Sequence, residues 1–591
     1  MKIGAIERNF RKIKNGFNQM DNIVRHSKKG ALFEHEVAIR KKLKELLELK
    51  DYKNCNKDEY ELVYKDYLQL LNYVSKIILE GYNLKNNSHF KFQDIIDNNF
   101  DGYVRSGIIT ILVSEHIPIL VAKQFDKVFP SNPKNEYKSA RSFKRKIYLH
   151  LGDTNTGKTY NAMEKLKSSS KGIYLSPLRI LALENFEKLN EEGIKCSLLT
   201  GEEEIIVEGF KHVCCTIEKL DLKQSYEVSV IDEIQMIGDD LRGAAWTRAL
   251  LGIRSDEIHI CGAENTKQLL IEIIEDLGEE YEIITYKRTI PLIVEDNAFS
   301  YRSAKVGDAL VAFSKKKVLE LAYYYKELGI KASIIYGDLP PEVRKKQYQL
   351  FLKKENTILI TTDAIGMGVN LPIKRIIFMD IKKYDGREFR YLSSQEVKQI
   401  GGRAGRKGIY DKGYVLSFGS NQDFIRDKLN IEDEPEEKAV IGPSEEILKI
   451  KGISLKEKLV LWSTREEKID FYTKMDITEY IMVLDYIKKY RLEEKIEWKL
   501  MRIPFDLSKD GLVKAFLSYI DEIFILKNEE LNKPTYPIKE LNELEIYYQK
   551  INLYYSFSKA LNLQFDENWV YEERIKVSEH INELLIGTKF Y

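Results

Sequence analysis

The sequence predicts an α/β protein: two tandem domains, each built on a parallel β-sheet, flanked by mostly helical N- and C-terminal domains. Between residues 146 and 290, short β-rich runs alternate with segments of helical pattern, and the same alternation restarts at Ala309. Strands that alternate with helices form βαβ units, whose strands run parallel. On either side of this region, apolar residues recur every three or four positions, which is the period of a helix. We therefore place the domains at 1–140, 141–290, 291–430 and 431–591.

The composition indicates several globular domains and argues against simpler classes. The chain has 591 residues, 43% apolar and 31% charged, and at roughly 100 to 200 residues per domain this length predicts three to five domains. Its 13 Pro, 33 Gly and 11% aromatics argue against a disordered protein. Five cysteines without zinc-ligand spacing predict reduced, buried thiols. The apolar runs are short, so we expect a cytoplasmic protein that does not enter the membrane.

Net charge says little about partners, because 93 Lys and Arg balance 92 Asp and Glu. The charge is unevenly distributed, however. The first fifty residues hold 13 basic and 6 acidic side chains, which fits either contact with nucleic acid or a solvated helix face. Residues 431–446 are acidic, and we expect them to form an exposed linker.

The predicted elements follow in chain order. Residues 30–125 have helical spacing, and the turn-rich stretch 130–136 then marks a boundary. Strands of the first α/β domain are predicted at 147–150, 173–175, 196–199, 212–216, 228–231 and 258–261. Strands of the second are predicted at 309–313, 332–336, 357–361, 375–379 and 414–418. Helical periods return after the acidic segment.

A phosphate-binding loop follows the first predicted strand. Residues 152–159 read Gly-Asp-Thr-Asn-Thr-Gly-Lys-Thr, which fits G-x-x-x-x-G-K-[ST] between a strand and a helical pattern. In this motif backbone amides turn toward phosphates, Lys158 neutralises the β and γ oxygens, and the Thr159 hydroxyl reaches Mg²⁺. The predicted nucleotide-binding residues are Gly152, Asp153, Thr154, Asn155, Thr156, Gly157, Lys158 and Thr159.

Two carboxylates end the predicted strand 228–231. We expect Asp232 to hold Mg²⁺ through water and Glu233 to polarise the attacking water. An Asp-Glu pair at a strand end is weak evidence alone. Together with the phosphate-binding loop it predicts a nucleoside triphosphatase.

Two arginines in the second domain complete the predicted catalytic set. Residues 399–406 read Gln-Ile-Gly-Gly-Arg-Ala-Gly-Arg, so Arg403 and Arg406 can share one helix face and point at a γ-phosphate. Such an arginine contributes about 10³ to 10⁵ in rate in other enzymes of this kind. Because the second domain supplies it, hydrolysis would require the two domains to close, which is the logic of a motor.

These residues resemble the superfamily-2 helicases, most closely the ATP-dependent RNA helicases of the mitochondrial RNA degradosome and their bacterial relatives. The similarity covers about residues 146–420 and includes 232–237, 246–252, 336–341 and 364–370. It implies two RecA-like domains, ATP and Mg²⁺ as cofactors, RNA as a partner and an exoribonuclease as a further partner. It also gives roles to Gln235, Gln399 and Gly366 around the nucleotide. Residues 262–265 depart from the acidic residue and proline that relatives usually have there.

The resemblance further implies a set of residues that grip a nucleic-acid backbone. Small hydroxyls, backbone amides and an occasional Arg hold phosphates without reading bases, although each hydroxyl alone is more often a helix cap. The matching positions are Ser176, Arg179, Thr200, Gly201, Thr216, Phe313, Ser314, Thr361 and Thr362.

An Asp-Gly pair at residues 385–386, between strand-like runs, predicts a β-hairpin. In related helicases a hairpin here can separate strands. We expect Tyr384 or Phe389 to stack on the base at the fork, at about 1 to 3 kcal/mol per base. The alternative is an ordinary surface hairpin with no role in strand separation.

Three functions fit these residues. The first is an NTP-dependent RNA helicase that moves 3′ to 5′, the direction being carried over from the family. The second is a DNA helicase or translocase, and the third a nucleotide-gated RNA clamp or scaffold with slow hydrolysis. No adenine-reading glutamine motif precedes the phosphate-binding loop, so ATP is the default through abundance. The oligomeric state is left open.

Overall fold

The chain folds into two compact units. One comprises Met1–Ser131 with Pro443–Lys468, and the other Asn132–Gly442 with Ile469–Tyr591. The computed structural model describes residues 3–27, 31–49, 57–86, 91–97, 100–116, 124–366, 371–386, 388–450, 453–466, 468–537 and 540–587. Residues 367–370, which carry part of the family resemblance, and Cys55 lie outside the described residues. The other four cysteines are buried and form no disulfide with one another.

The first unit is helical where it is described. Its long helices bury apolar stripes at helical spacing, and a buried carboxylate ties three segments together. Glu36 accepts hydrogen bonds from the Ser75 hydroxyl (2.7 Å) and the Ile108 amide (3.0 Å). Gly107, at φ +84°, lies so close to this carboxylate that a Cβ there would come within 2.6 Å. The helices are Ile3–Arg25, Leu32–Leu49, Lys57–Asn86, Phe92–Ile96, Phe100–Ser106, Ile108–His116 and Leu455–Thr464.

The first RecA-like domain is built on an eight-stranded sheet in the order β4-β3-β5-β2-β6-β7-β1-β8. All neighbours pair in parallel except β3 and β4. Because β6, β7 and β1 are adjacent and parallel, the residues that follow them meet at one edge. The strands are β1 Lys146–Gly152, β2 Gly172–Ser176, β3 Cys196–Leu199, β4 Glu204–Ile205, β5 His212–Thr216, β6 Ser225–Ile231, β7 Arg254–Gly262 and β8 Glu280–Tyr286.

Helices pack on both faces of this sheet, so its central strands are buried. They are Lys158–Ser168, Arg179–Glu191, Gly243–Gly252 and Lys267–Leu277. Trp246 is fully buried, and its indole nitrogen donates to the Asp232 carbonyl at 2.9 Å. The hydrophobic core thus fixes the backbone at the end of β6.

The second RecA-like domain is a six-stranded parallel sheet in the order β11-β12-β10-β13-β16-β9. Its strands are β9 Leu292–Val294, β10 Asp308–Val311, β11 Ala332–Ile335, β12 Ile358–Thr361, β13 Arg375–Phe378 and β16 Gly413–Ser417. Its helices are Lys315–Glu327, Pro341–Leu352, Ser394–Gly401 and Gln422–Asn430. The predicted hairpin is present as the antiparallel pair β14 Lys382–Tyr384 and β15 Phe389–Tyr391.

The C-terminal region packs against both RecA-like domains. A short parallel pair, β17 Ala439–Ile441 and β18 Tyr472–Lys474, joins it to the first. Five helices follow, at Thr478–Ile487, Glu494–Met501, Asp510–Ile520, Leu541–Leu561 and Glu567–Gly587. Edge-to-face aromatic pairs among Phe516, Tyr519, Tyr554 and Phe557 join the helices Asp510–Ile520 and Leu541–Leu561.

The predicted fold class, two tandem parallel-sheet domains with helical flanks, is confirmed. Strands β4, β8, β9, β17 and β18 were not predicted. Strand β8 lies at the edge of its sheet and is partly exposed along its length, so it lacks the apolar run that marks a buried strand.

Candidate active site

The phosphate-binding loop has the backbone geometry that its sequence predicts. Gly152 has φ +143°, and a Cβ there would lie 1.9 Å from the Tyr286 carbonyl oxygen, so the loop can begin only with glycine. Gly157 has φ +90° and begins the helix Lys158–Ser168. The Thr156 hydroxyl donates to the Asp153 carbonyl at 2.8 Å. The loop therefore presents the amino end of a helix to the cavity.

Lys158 reaches into this loop. Its ammonium donates to the carbonyls of Gly152 (2.8 Å) and Asp153 (2.5 Å). Burial lowers its pKa, and the carboxylates of Glu233 and Asp232 oppose that shift. A lysine so placed neutralises an anion held by the loop.

Asp232 lies beside Thr159. The Thr159 hydroxyl donates to one carboxylate oxygen at 2.9 Å, and the Tyr174 hydroxyl donates to the other at 2.8 Å. Burial first, and then Glu233, raise the pKa of Asp232 to about 6. No cluster of three metal-ligating His, Cys, Asp or Glu occurs in the described part of the chain. A hydroxyl and a carboxylate at this distance fit a Mg²⁺ that takes its other oxygens from water and phosphate.

Glu233 adopts a left-handed backbone conformation at φ +50°, which is a strained position for a non-glycine residue. The Gln235 side chain donates to the Glu233 carboxylate and accepts from the Ala263 amide at 3.2 Å. A Cβ on Gly262 would lie 2.9 Å from the same glutamine side chain, so this approach needs glycine. Gln235 thus connects Glu233 to the end of β7, in the segment 262–265 that departs from the family pattern.

Arg403 enters the site from the second domain. Its guanidinium donates to the Gly366 carbonyl at 2.5 Å and lies 4.0 Å from the Glu233 carboxylate. Burial lowers its pKa, against the opposing effect of Glu233. Gly402 packs closely against the phosphate-binding loop, because a Cβ at this position would come within 2.9 Å of Thr154.

The two domains enclose a cavity of about 1180 Å³. All eight residues of the phosphate-binding loop line it, together with Asp232, Glu233, Gln235, Gln399 and Arg403. Arg406 and Gly366 are not among its lining residues. The helix Ser394–Gly401 ends before both arginines, so the prediction that they share a helix face is wrong. Of the two, Arg403 is the one that faces the cavity in this conformation.

The predicted strand-contact hydroxyls lie at turns and helix starts. Ser314 caps the helix Lys315–Glu327, accepting from the Lys317 amide at 3.2 Å. Thr200 accepts from the Glu203 amide at 2.9 Å, and the buried Ser176 donates to the Leu178 carbonyl at 2.6 Å. Thr361 is the last residue of β12 and Thr362 follows it, and both are buried. Thr216 ends β5 without a side-chain cap bond, and Phe313 packs against the second domain's core.

Arg179 is enclosed by carboxylates. Its guanidinium donates to Glu202 (2.6 Å) and Glu203 (3.0 Å) of the first domain and to Glu342 (3.0 Å) of the second. It also contacts the Tyr548 hydroxyl at 3.1 Å, which in turn donates to Glu342 at 2.8 Å. We call these five side chains the Arg179 junction. The neighbouring Gly201 carbonyl accepts from Ser556 at 3.2 Å.

The hairpin presents its aromatic residues to solvent. Tyr384 and Phe389 are 53% and 70% exposed, and their ring centroids are 5.4 Å apart. The Arg390 guanidinium anchors the hairpin to Glu396 at 2.8 Å. Large apolar rings held outward on an anchored hairpin are available to stack on a base.

The acidic segment 431–446, which was expected to be an exposed linker, makes hydrogen bonds to the first RecA-like domain and lines the cavity. The Glu436 amide donates to the Asn265 carbonyl at 3.0 Å, and the Asn265 side chain donates to the Glu434 carbonyl at 3.2 Å. Glu432 and Asp433 line the cavity. Sequence reasoning missed these contacts and also Arg288 and Tyr174, because nothing local in the sequence indicates which distant residues approach the loop.

Three family descriptions match the chain. They are the DEXQ-box helicase domain of Suv3 (133–286), the helicase conserved C-terminal domain (292–408) and the ATP-dependent RNA helicase SUV3 C-terminal domain (541–587).

The following curated relatives match 67% to 77% of this chain. The chain is 34% identical to the mitochondrial DExH-box ATP-dependent RNA helicase DExH18 of Arabidopsis thaliana, over 77% of this chain and 61% of that protein. It is 37% identical to the mitochondrial ATP-dependent RNA helicase SUV3 of Saccharomyces cerevisiae, over 67% and 54%. It is 32% identical to mitochondrial SUPV3L1 of Danio rerio, over 76% and 63%. The chain thus spans less than two thirds of the length of these relatives.

A solved structure, the Escherichia coli DEAH/RHA helicase HrpB, has 13% identity and a TM-score of 0.47 over 73% of this chain and 60% of that one. This likeness is too weak to add to the assignment.

These relatives overturn one expectation. Each is named a mitochondrial protein, which contradicts the cytoplasmic location predicted from the sequence. Among the described residues, no helix is long and apolar enough to cross a bilayer. The matched domains, their order and the cavity motifs agree, and the chain belongs to the Suv3-type branch of the superfamily-2 DExH/Q helicases.

Proposed function

We propose that the protein is an NTP-dependent RNA helicase that hydrolyses ATP between its two RecA-like domains and moves 3′ to 5′ along one strand. One observation carries the proposal: Glu233 of the first domain and Arg403 of the second approach each other to 4.0 Å in the wall of the nucleotide-sized cavity. A site divided in this way ties the chemistry to domain closure.

The residues of the cavity divide the work of phosphoryl transfer. Lys158 holds the β and γ oxygens. Thr159 and Asp232 would hold Mg²⁺, which when bound would neutralise charge on the phosphates. Glu233 orients the attacking water and takes its proton. Arg403 stabilises the charge on the transferred phosphoryl group, and Arg406 joins it as the domains close.

Gln235 and Gln399 transmit the state of the nucleotide. Gln235 joins Glu233 to the Ala263 amide. Gln399 lies in the helix Ser394–Gly401, just before the turn that carries the arginines, and lines the cavity. A shift of the water-activating carboxylate therefore moves the end of β7.

The strand runs across both domains. Turn hydroxyls and amides at Ser176, Thr200, Gly201 and Thr216, and at Phe313, Ser314, Thr361 and Thr362, grip its phosphates without reading bases. Arg179 joins them when the Arg179 junction opens. The hairpin bearing Tyr384 and Phe389 stacks at the fork and separates the duplex.

RNA is proposed over DNA because the relatives are named RNA helicases. A nuclease that consumes the unwound strand, an exoribonuclease, is the proposed partner because the motif resemblance to the degradosome helicases implies one. Phosphate contacts alone do not separate RNA from DNA, which a site tells apart through the 2′-hydroxyl.

The test is steady-state ATP hydrolysis by the full chain, titrated with single-stranded RNA and with single-stranded DNA, with Glu233→Gln as the control. We expect Mg²⁺-dependent hydrolysis that RNA stimulates more than DNA does, and none from the variant. Equal stimulation by both polymers would favour a general translocase. Slow hydrolysis that neither polymer stimulates would favour the clamp.

A further inference from the structure

Arg288 lies in the connection between the two RecA-like domains, after β8 and before β9. Its guanidinium donates to the carbonyls of Gly402, at 2.6 Å, and Ala404. Its Nε donates to the Ile290 carbonyl at 2.7 Å. Each of the three guanidinium nitrogens therefore donates to a main-chain carbonyl oxygen.

The two distal carbonyls flank Arg403. One belongs to the residue before this arginine and the other to the residue after it, so Arg288 fixes the main chain on both sides. The local turn is otherwise held by single bonds, such as that from the Arg403 amide to the Ile400 carbonyl at 3.1 Å. The direction in which the Arg403 side chain leaves the backbone thus depends on Arg288.

The other end of Arg288 touches the phosphate-binding loop. Its main-chain amide donates to the Asp153 carboxylate at 3.0 Å. Asp153 also supplies one of the two carbonyls that hold the Lys158 ammonium. One residue in the connection therefore contacts both the loop that would hold the phosphates and the segment that carries the arginine.

Close packing leaves this arrangement little freedom. Gly405 has φ +75°, and a Cβ there would lie 3.0 Å from Ile290 of the same connection. Gly402 therefore packs on the Thr154 side chain of the phosphate-binding loop, and Gly405 packs on the Ile290 side chain of the connection.

We infer that Arg288 is a positioning residue for the arginine-bearing segment, transmitting the position of the phosphate-binding loop to Arg403 through the main chain of residues 402–404. This inference rests on the proposed function and adds to it a link that runs within the connection itself. The guanidinium suits the role because it can donate along several fixed directions at once, whereas a lysine offers a single charged point.

The test compares the full-length variants Arg288→Ala, Arg288→Lys, Arg403→Ala and the double variant Arg288→Ala with Arg403→Ala. Lys287→Ala, an exposed neighbour in the same connection, is the control. Steady-state hydrolysis at saturating single-stranded RNA gives kcat and KM, and titration with a fluorescent ATP analogue gives Kd.

We expect Arg288→Ala to lower kcat by about 10²-fold, the effect of displacing a catalytic group by about 1 Å. The Kd of the analogue should stay within about threefold, because the lost interaction serves the transition state. Arg288→Lys should restore part of kcat. The double variant should be no slower than Arg403→Ala alone, because both changes remove the same contribution.

Three results would overturn the inference. A raised Kd with kcat intact would mean that Arg288 binds nucleotide directly. Losses that multiply in the double variant would mean that it acts independently of Arg403, and an equal loss in Lys287→Ala would mean that the connection is merely sensitive to change.

A second measurement does not depend on activity. Hydrogen exchange of the peptide that contains residues 402–406 should be faster in Arg288→Ala than in the parent protein, and unchanged exchange would contradict the inference even if the parent were inactive. Absence of hydrolysis in the parent would count against the proposed function alone.

Discussion

Replacing Arg179 tests whether the Arg179 junction stabilises the folded protein. A residue that only binds the nucleic-acid strand would not do so. Arg179 is 10% exposed and shared by Glu202, Glu203 and Glu342, which come from both RecA-like domains. Replacing it with methionine keeps most of the aliphatic volume and removes the charge. The three carboxylates then lose a common partner and repel one another.

The expected loss of folding stability in Arg179→Met follows from the burial of the ion pairs. Breaking a buried ion pair by removing one partner costs about 3 to 5 kcal/mol. The carboxylates here are 14% to 34% exposed, so the lower end, about 3 kcal/mol, applies. At about 2 to 4 °C per kcal/mol for a domain of 150 to 250 residues, this corresponds to a drop in Tm of roughly 6 to 12 °C. Glu342→Gln leaves Arg179 with two carboxylates and should cost about 1 kcal/mol.

Thermal unfolding followed by intrinsic fluorescence measures both variants, and Arg302→Met, at an exposed arginine, is the matched control. We expect Arg179→Met to lower Tm most, Glu342→Gln slightly, and the control not measurably. If Arg179→Met unfolds within about 2 °C of the parent protein, the junction contributes no such stability and the reasoning from its contacts is refuted.

Three further predictions concern the cleft, the hairpin and the acidic segment. Arg406→Ala should abolish turnover while nucleotide binding, titrated with a fluorescent analogue, changes only a few-fold; a lost binding signal would count against its role in the closed state. Tyr384→Ala with Phe389→Ala should reduce duplex unwinding in a strand-separation assay at normal ATP hydrolysis, and unchanged unwinding would remove the wedge hypothesis. Burial, followed by Asp240 and Glu437, raises the pKa of Glu436 from 4.5 to about 7, so its carboxylate destabilises the folded protein increasingly as pH rises from 4.5 to 7. Glu436→Gln should therefore raise Tm at pH 8 and progressively less toward pH 5, whereas an equal change at both pH values would refute this assignment.

The fold was predictable because its signals are local. Buried parallel strands read as continuous apolar runs, and β2, β5 and β6 were located from such runs. The exposed strand β8 and the three-residue strand β9 lack them, and their positions follow only from pairing with distant strands. The phosphate-binding loop was predictable for a similar reason, since its glycines and lysine are contiguous.

Contacts between distant segments were not predictable. Arg288 is one arginine in a connection, and only the folded chain brings it to the carbonyls around Arg403. The Arg179 junction joins residues up to 369 positions apart. Burial of Arg179 depends on the packing of the C-terminal helices, which the local pattern around Arg179 cannot encode.

Strand separation by the full chain tests the central claim most directly. An RNA duplex with a single-stranded 3′ overhang is mixed with protein, ATP and Mg²⁺, beside a matched duplex with a 5′ overhang and beside the Glu233→Gln variant. We predict that the parent protein separates the 3′-overhang duplex in an ATP-dependent way, and that neither the 5′-overhang duplex nor the variant gives separation. Normal RNA-stimulated hydrolysis without separation of either duplex would contradict the claim that this protein is a helicase.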